Sequence, residues 1–104
     1  MDGKDEDGLF TLKNGVVRAK GDMYWEYLDE FEAACAKLLA MRRKCLKVDL
    51  SEVNFVSSAF FGAFGSLTLK AIRRKKKIIV RMTTDLIWLV DIMGMRQVVE
   101  LEIV

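Results

Sequence analysis

Alternating runs of apolar residues near the start of the chain predict a β-hairpin. Two strand-like runs, Leu9–Lys13 and residues 16–20, flank the pair Asn14-Gly15. Asn-Gly between such runs is typical of a type I′ turn, because both central residues of that turn need positive φ. We therefore predict two antiparallel strands joined by this turn.

Three further strands are predicted downstream. Residues 46–51 alternate between apolar and polar side chains, as expected of a strand with one buried face. Residues 77–82 form a nearly continuous β-branched run, which is typical of a strand covered on both faces. Residues 99–103 alternate between aliphatic side chains and glutamate, which predicts a final strand.

Three segments carry apolar residues at three- and four-residue steps, which is typical of amphipathic helices. The first is expected over residues 23–42, with Asp22 as its N-cap and Trp25 in its apolar stripe. The second is expected over residues 59–74 and the third over residues 86–93.

The resulting order of elements is β-β-α-β-α-β-α-β. Alternation of strands and helices implies parallel pairing through right-handed crossovers, and the opening hairpin adds an antiparallel edge. We therefore predict an α/β fold, a single domain with a mixed sheet of about five strands and helices packed on it. Residues 1–7 contain four acidic residues and are expected to form a flexible acidic tail.

Length and composition fit one globular domain of 104 residues, of which 52% are hydrophobic. No apolar run approaches the roughly 20 residues that span a bilayer. The acidic start is also unlike a signal peptide. Because the chain shows no export signal, Cys35 and Cys45 are expected to be buried free thiols, and the protein is expected to be cytoplasmic.

Cations are concentrated in two clusters at the predicted helix ends. Residues 73–77 are five consecutive cations, and residues 42–44 form a second cluster together with Lys47. We interpret both clusters as solvated helix exits that complement the helix dipole. A nucleic-acid site would also need aromatic or groove-reading residues among the cations, and the clusters contain none. No nucleic-acid partner is therefore expected.

The residue types exclude most catalytic chemistry. The chain has no histidine, which excludes a Ser-His-Asp triad and a Cys–His nucleophile pair. Cys35 and Cys45 make a poor zinc site without histidine. The sequence contains neither a phosphate-binding loop nor a dinucleotide fingerprint. We therefore expect a non-enzymatic protein with no metal and no cofactor.

One stretch places two serines, Ser57 and Ser58, between a strand and the mouth of a helix. A helix N-terminus is a position where negative charge can be bound. The residues of this stretch, VDLSEVNFVSSAFF over positions 48–61, resemble the signature of the STAS superfamily, and in particular that of the bacterial anti-sigma factor antagonists. The order of elements agrees with that resemblance from Leu9 to Val104. The resemblance implies a STAS-like domain over residues 8–104.

In the anti-sigma factor antagonists, a serine or threonine at this junction is phosphorylated by a partner kinase that is also the anti-sigma factor. The unphosphorylated domain binds that partner and frees the sigma factor. The resemblance therefore implies a regulatory protein-binding module whose partner is an anti-sigma factor and serine kinase. Ala59 occupies the usual acceptor position in a gap-free alignment, which leaves Ser58, then Ser57, as candidate acceptors. The partner-binding residues that the resemblance implies are Asn54, Ser57, Ser58, Ala59, Phe60 and Phe61.

Other interpretations stay open. The two serines would be plain helix caps, each contributing about 1 kcal/mol, if no kinase acts on them. Single-domain STAS proteins also resemble non-switching subunits of transporter ATPase complexes and signalling scaffolds, and Ala59 and Phe60 favour that alternative. Phe60 itself is either a core residue or an exposed binding anchor. A small ligand near the junction is a third alternative.

Overall fold

The chain folds into a five-stranded sheet with the order β1-β2-β3-β4-β5. This computed structural model describes residues 9–92 and 94–104. The predicted tail at residues 1–7 lies outside the described residues. The strands are β1 (Leu9–Lys13), β2 (Val16–Met23), β3 (Cys45–Val56), β4 (Lys77–Met82) and β5 (Val99–Ile103). The mixed α/β architecture predicted from the sequence is confirmed.

The hairpin between β1 and β2 forms as predicted. Asn14 and Gly15 have φ of 54° and 75°, the positive values that a type I′ turn requires. Leu12 pairs with Val17 across the two strands. Glycine is favoured at position 15 because an L side chain is strained at this positive φ, and a Cβ there would also displace the side chain of Arg43.

The other strand pairs are parallel. β2 pairs with β3, β3 with β4 and β4 with β5, so the carboxyl ends of β2 to β5 all lie at one end of the sheet. The helices α1 (Leu28–Ala40), α2 (Ser58–Arg73) and α3 (Ile87–Ile92) connect these strands. Single 3₁₀ turns, Trp25–Tyr27 and Thr84–Leu86, precede α1 and α3.

The start of the first helix differs from the prediction. The strand β2 does not break at Asp22 but continues to Met23, which pairs with Val56 of β3. Helix α1 therefore begins at Leu28 instead of residue 23. Trp25 is 70% exposed and does not belong to an apolar helix stripe. Pairing with a neighbouring strand has prevailed over the local helical pattern.

The core lies between the helices and one face of the sheet. Val48 of β3 and Val80 of β4 pack in one buried cluster with Phe64 of α2. The alternate residues of the same strands form the opposite face, where Ile79 and Arg81 are only half-buried. The prediction that β4 is covered on both faces is therefore wrong, because the core cluster covers one face only.

None of the helices within residues 9–92 and 94–104 combines the length and apolar character needed to cross a membrane.

Candidate functional site

The junction between β3 and α2 positions the two predicted serines differently. Ser57 is the N-cap of α2, with extended backbone angles (φ −77°, ψ 162°), and its Oγ accepts a hydrogen bond from the Phe60 amide at 3.2 Å. The Ser57 amide donates to the Met23 carbonyl at 3.0 Å, which ties the cap to the end of β2. The Ser57 hydroxyl thus caps α2, which is one of the two roles that the sequence left open for it.

Ser58, the first residue of α2, is exposed. Its hydroxyl makes no hydrogen bond to another residue in the part of the chain that the structure describes. The free amides at the start of a helix favour negative charge on a side chain at this position. Ser58 is therefore the more exposed serine of the pair.

Phe60 faces the protein interior. Its ring is fully buried, with its centroid 4.2 Å from that of Phe31 in α1 and 6.4 Å from that of Phe10 in β1. The helical period places Phe60 on the same side of α2 as Phe64 and Leu67, which also lie in the core. The prediction of Phe60 as a partner-binding residue, and as an exposed anchor, is therefore wrong.

Phe61 and Asn54 do reach the surface near Ser58. Phe61 is half-buried, and its ring meets Trp88 of α3 edge-on, with centroids 5.1 Å apart. Asn54 is exposed near the end of β3, while Ala59 is half-buried behind Ser58. Of the predicted partner-binding residues, Asn54, Ser58 and Phe61 thus have side chains that reach the surface.

A second aromatic pair was not predicted from the sequence. Tyr24 follows β2 and Phe55 is the penultimate residue of β3, and their ring centroids lie 5.4 Å apart with both side chains exposed. Together with Phe61 and Trp88, they put four aromatic rings at the carboxyl ends of the parallel strands. The order of the strands is the signal that would have found them, because these residues follow or end strands that run in the same direction.

A cleft of about 280 Å³ lies between the ends of β3 and β4. Phe55 and Trp88 line it, so the two aromatic pairs flank the same depression. Asn54 and Asp85 supply polar groups to its walls. We call the surface formed by these residues the junction face: Tyr24, Asn54, Phe55, Ser58, Phe61, Asp85 and Trp88.

The junction face is acidic as well as aromatic. The strand ends, connections and first helical turns at this end of the sheet, residues 21–30, 51–59 and 83–88, contain no lysine or arginine. Asp22 accepts a hydrogen bond from the Tyr24 hydroxyl at 3.1 Å. This hydrogen bond, and then the Asp22 charge, raise the pKa of Tyr24. Exposed aromatic rings are typical of surfaces that bind other proteins.

The described residues offer little for catalysis or metal binding. Within residues 9–92 and 94–104, no group of three or more histidine, cysteine or acidic residues could hold a metal ion. Both cysteines are free; Cys35 is buried as predicted, but Cys45 is exposed. Burial raises the pKa of Cys35 to about 12, which keeps this thiol protonated and a poor nucleophile.

A comparison with models of protein families matches residues 10–101 to the family described as "Mlab, STAS domain". No curated protein matches the chain.

Proposed function

We propose that this chain, which belongs to the STAS domain family, uses its junction face to bind an anti-sigma factor that is also a serine kinase. STAS domains are regulatory and protein-interaction modules that are generally not catalytic. The exposed aromatic rings around Ser58 carry the proposal, because large side chains of this type supply most of the binding energy in protein interfaces.

Ser58 is the proposed point of control. A phosphate adds about −1.5 to −2 charges and three acceptor oxygens. The N-terminus of α2 tolerates that charge within the free domain. In a complex the partner covers Ser58, so the phosphate has to be desolvated and accommodated in a closed contact, and the complex dissociates. Ser57 is less suited to this role because its hydroxyl already caps α2.

A non-switching function is the second candidate, and Ala59 favours it. This residue occupies the usual acceptor position of the antagonists, and its methyl group is half-buried. In that case the junction face holds the domain permanently in a transporter ATPase complex or a signalling scaffold. Both candidates need the aromatic surface, and only the first needs a phosphate on Ser58.

Binding is tested by affinity capture from the native cell with the wild-type chain and with Phe55→Ala/Trp88→Ala. The matched control is Val98→Ala, which truncates an exposed aliphatic side chain just before β5, at the opposite end of the sheet. The aromatic variant is expected to lose the captured partner and the control to retain it. Retention of the partner by the aromatic variant would contradict the proposed interface.

Control by phosphate is tested with the captured partner and ATP, followed by phosphosite mapping by mass spectrometry. A phosphate is expected on Ser58, and Ser58→Asp is expected to weaken binding while Ser66→Asp, at an exposed serine in the middle of α2, leaves it unchanged. A partner that binds through the aromatic rings without modifying Ser58, and that tolerates Ser58→Asp, identifies the non-switching function instead.

A further inference from the structure

The end of the molecule opposite the junction face is strongly basic. Three connections meet there, because the amide of Lys77 donates to the carbonyl of Lys44 at 2.7 Å and the amide of Lys47 donates to the carbonyl of Gly15 at 3.3 Å. The first contact joins the α1–β3 and α2–β4 connections, and the second adds the β1–β2 turn. We call the cations of these connections the basic end: Lys13, Arg42, Arg43, Lys44, Arg73, Arg74, Lys75, Lys76 and Lys77.

Three of these cations have partners within the protein. Arg74 and Lys76 donate to the Leu39 carbonyl at the end of α1, at 3.2 and 2.9 Å. Lys77 forms an ion pair with Glu100 at 2.8 Å. The contacts of Arg74 and Lys76 account for the role at helix ends that the sequence suggested for the clusters, whereas the ion pair of Lys77 joins β4 to β5.

The remaining cations do not take part in these contacts at the helix ends. They form no ion pair and no side-chain hydrogen bond to any residue among 9–92 and 94–104. They are Lys13, Arg42, Arg43, Lys44, Arg73 and Lys75, and all six are exposed. Six exposed cations at one end of a small domain create a field that attracts an anionic surface.

Exposed aliphatic side chains accompany these cations at the end of α2. Leu69 is 58% and Ile72 is 42% exposed. Leu69 lies three residues before Ile72 and four before Arg73, so its side chain neighbours both the second aliphatic group and the cation on the last turns of α2. Aliphatic side chains gain no binding free energy from contact with the phosphates of nucleic acid. They do gain binding free energy when they are buried at the boundary between lipid headgroups and acyl chains.

We propose that the basic end binds the surface of an anionic lipid bilayer. The six cations contact lipid phosphates, while Leu69 and Ile72 enter the headgroup boundary. The 12 residues of β3 separate the basic end from the junction face by roughly 36 Å. A domain bound in this way presents its junction face away from the membrane, so the proposal stands independently of the partner proposed above.

The experiment is co-sedimentation of the full chain with vesicles of phosphatidylcholine alone and of phosphatidylcholine mixed with phosphatidylglycerol. Binding is expected only to the mixed vesicles, and it should weaken as sodium chloride screens the charges. Arg42→Gln/Lys44→Gln is expected to weaken binding about thirtyfold, since each cation near an anionic surface contributes about fivefold. Lys20→Gln, which removes one cation from the middle of β2, should leave binding unchanged, whereas Lys44→Gln alone should weaken it about fivefold.

A second pair of variants separates a bilayer from nucleic acid. Leu69→Gln/Ile72→Gln keeps every charge and is expected to weaken vesicle binding roughly tenfold, whereas Ile103→Gln should have no effect. Equal loss of binding in the Lys20→Gln and Lys44→Gln variants, or equal binding to both kinds of vesicle, would overturn the proposal. Tighter binding to mixed-sequence duplex DNA that is indifferent to the Leu69/Ile72 variant would overturn it in favour of a nucleic-acid site.

Discussion

Asp49 is the residue whose charge is most enclosed by the structure. It lies on β3 with only 2% of its surface exposed, on the sheet face away from the helices. Its carboxylate accepts hydrogen bonds from Arg18 Nε at 3.1 Å and from the amide and hydroxyl of Ser51 at 2.9 and 2.7 Å. Arg81 lies further away, at 3.8 Å. The side chain thus joins β2, β3 and β4 across a face that has no helix.

Burial by itself raises the pKa of Asp49, but the hydrogen bonds from Ser51 and Arg18 outweigh it, so the pKa is lowered. A lowered folded-state pKa stabilises the protein above the pKa of an unfolded aspartate, about 3.9. That contribution is lost as the pH falls through the folded-state value. Asp49→Asn is expected to lower the free energy of unfolding by about 2 kcal/mol at pH 7.

Urea unfolding followed by circular dichroism measures this effect. The difference between wild type and Asp49→Asn should be largest at pH 7 and should shrink at acid pH, because the wild-type carboxylate becomes protonated there. Glu32→Gln, at an exposed position on α1, serves as the control and should have little effect at either pH. A difference that does not depend on pH would contradict the role of the Asp49 charge.

Substitutions of the two adjacent serines should distinguish the helix cap, which stabilises the domain, from the proposed phosphorylation site. Ser57→Ala removes the cap of α2 and is expected to lower the free energy of unfolding by about 1 kcal/mol. Ser58→Ala removes only an exposed hydroxyl and should change stability by less than about 0.5 kcal/mol. Thermal unfolding of the two variants measures both effects. Equal destabilisation would mean that the Ser58 hydroxyl also has a structural role.

At the scale of elements, the first turn of α2 has an inner and an outer aromatic residue. Phe60 joins α2 to α1 and to the hairpin through Phe31 and Phe10, whereas Phe61 lies beside Trp88 at the surface. Phe60→Ala should lower the free energy of unfolding by about 3–5 kcal/mol, because it leaves a cavity in the core.

Phe61→Ala is the matched control for this substitution. It should destabilise the domain much less. It should instead weaken partner capture, because the Phe61 ring packs against Trp88 at the surface. Urea unfolding and affinity capture on both variants measure the two effects. A smaller loss of stability for Phe60→Ala than for Phe61→Ala would contradict this division between core and surface.

Local sequence patterns were sufficient to predict most helices and strands, but not the residues at which they begin and end. The Asn14-Gly15 turn and the alternation in residues 46–51 each encode their structure within a few residues, so both predictions are confirmed. The start of α1 depends instead on the pairing of Met23 with Val56, which are far apart in sequence. The pattern around Trp25 contained no information about that pairing.

The sequence predicted only the part of the candidate site whose residues are consecutive in the chain. Ser57 and Ser58 could be placed at a helix mouth because the strand and the helix are consecutive in sequence. The aromatic neighbours Tyr24 and Trp88 come from other connections, and only the parallel order of the strands brings them beside Phe55 and Phe61. Phe60 and Phe61 also look alike in sequence, and the packing of α2 against α1 decides which of them is buried.

At the scale of the whole molecule, the two ends of the sheet carry opposite charge. The carboxyl ends of the strands lead into connections without lysine or arginine, and the amino ends are surrounded by cations. The parallel arrangement of β2 to β5 produces this polarity, because every helix begins at the acidic end and finishes at the basic one. Each end therefore suits a different kind of partner.

The two tryptophans report on this polarity, because Trp25 and Trp88 are the only ones in the chain and both lie at the acidic end. Docking of the basic end on phosphatidylglycerol vesicles should leave their emission wavelength and their quenching by acrylamide unchanged, since both rings stay in water. Binding of the captured partner should shift the emission to shorter wavelength and protect Trp88 from acrylamide. The Trp25→Phe variant isolates the Trp88 signal. A blue shift with vesicles alone would mean that the acidic, aromatic end faces the lipid, which would contradict the orientation proposed for the domain.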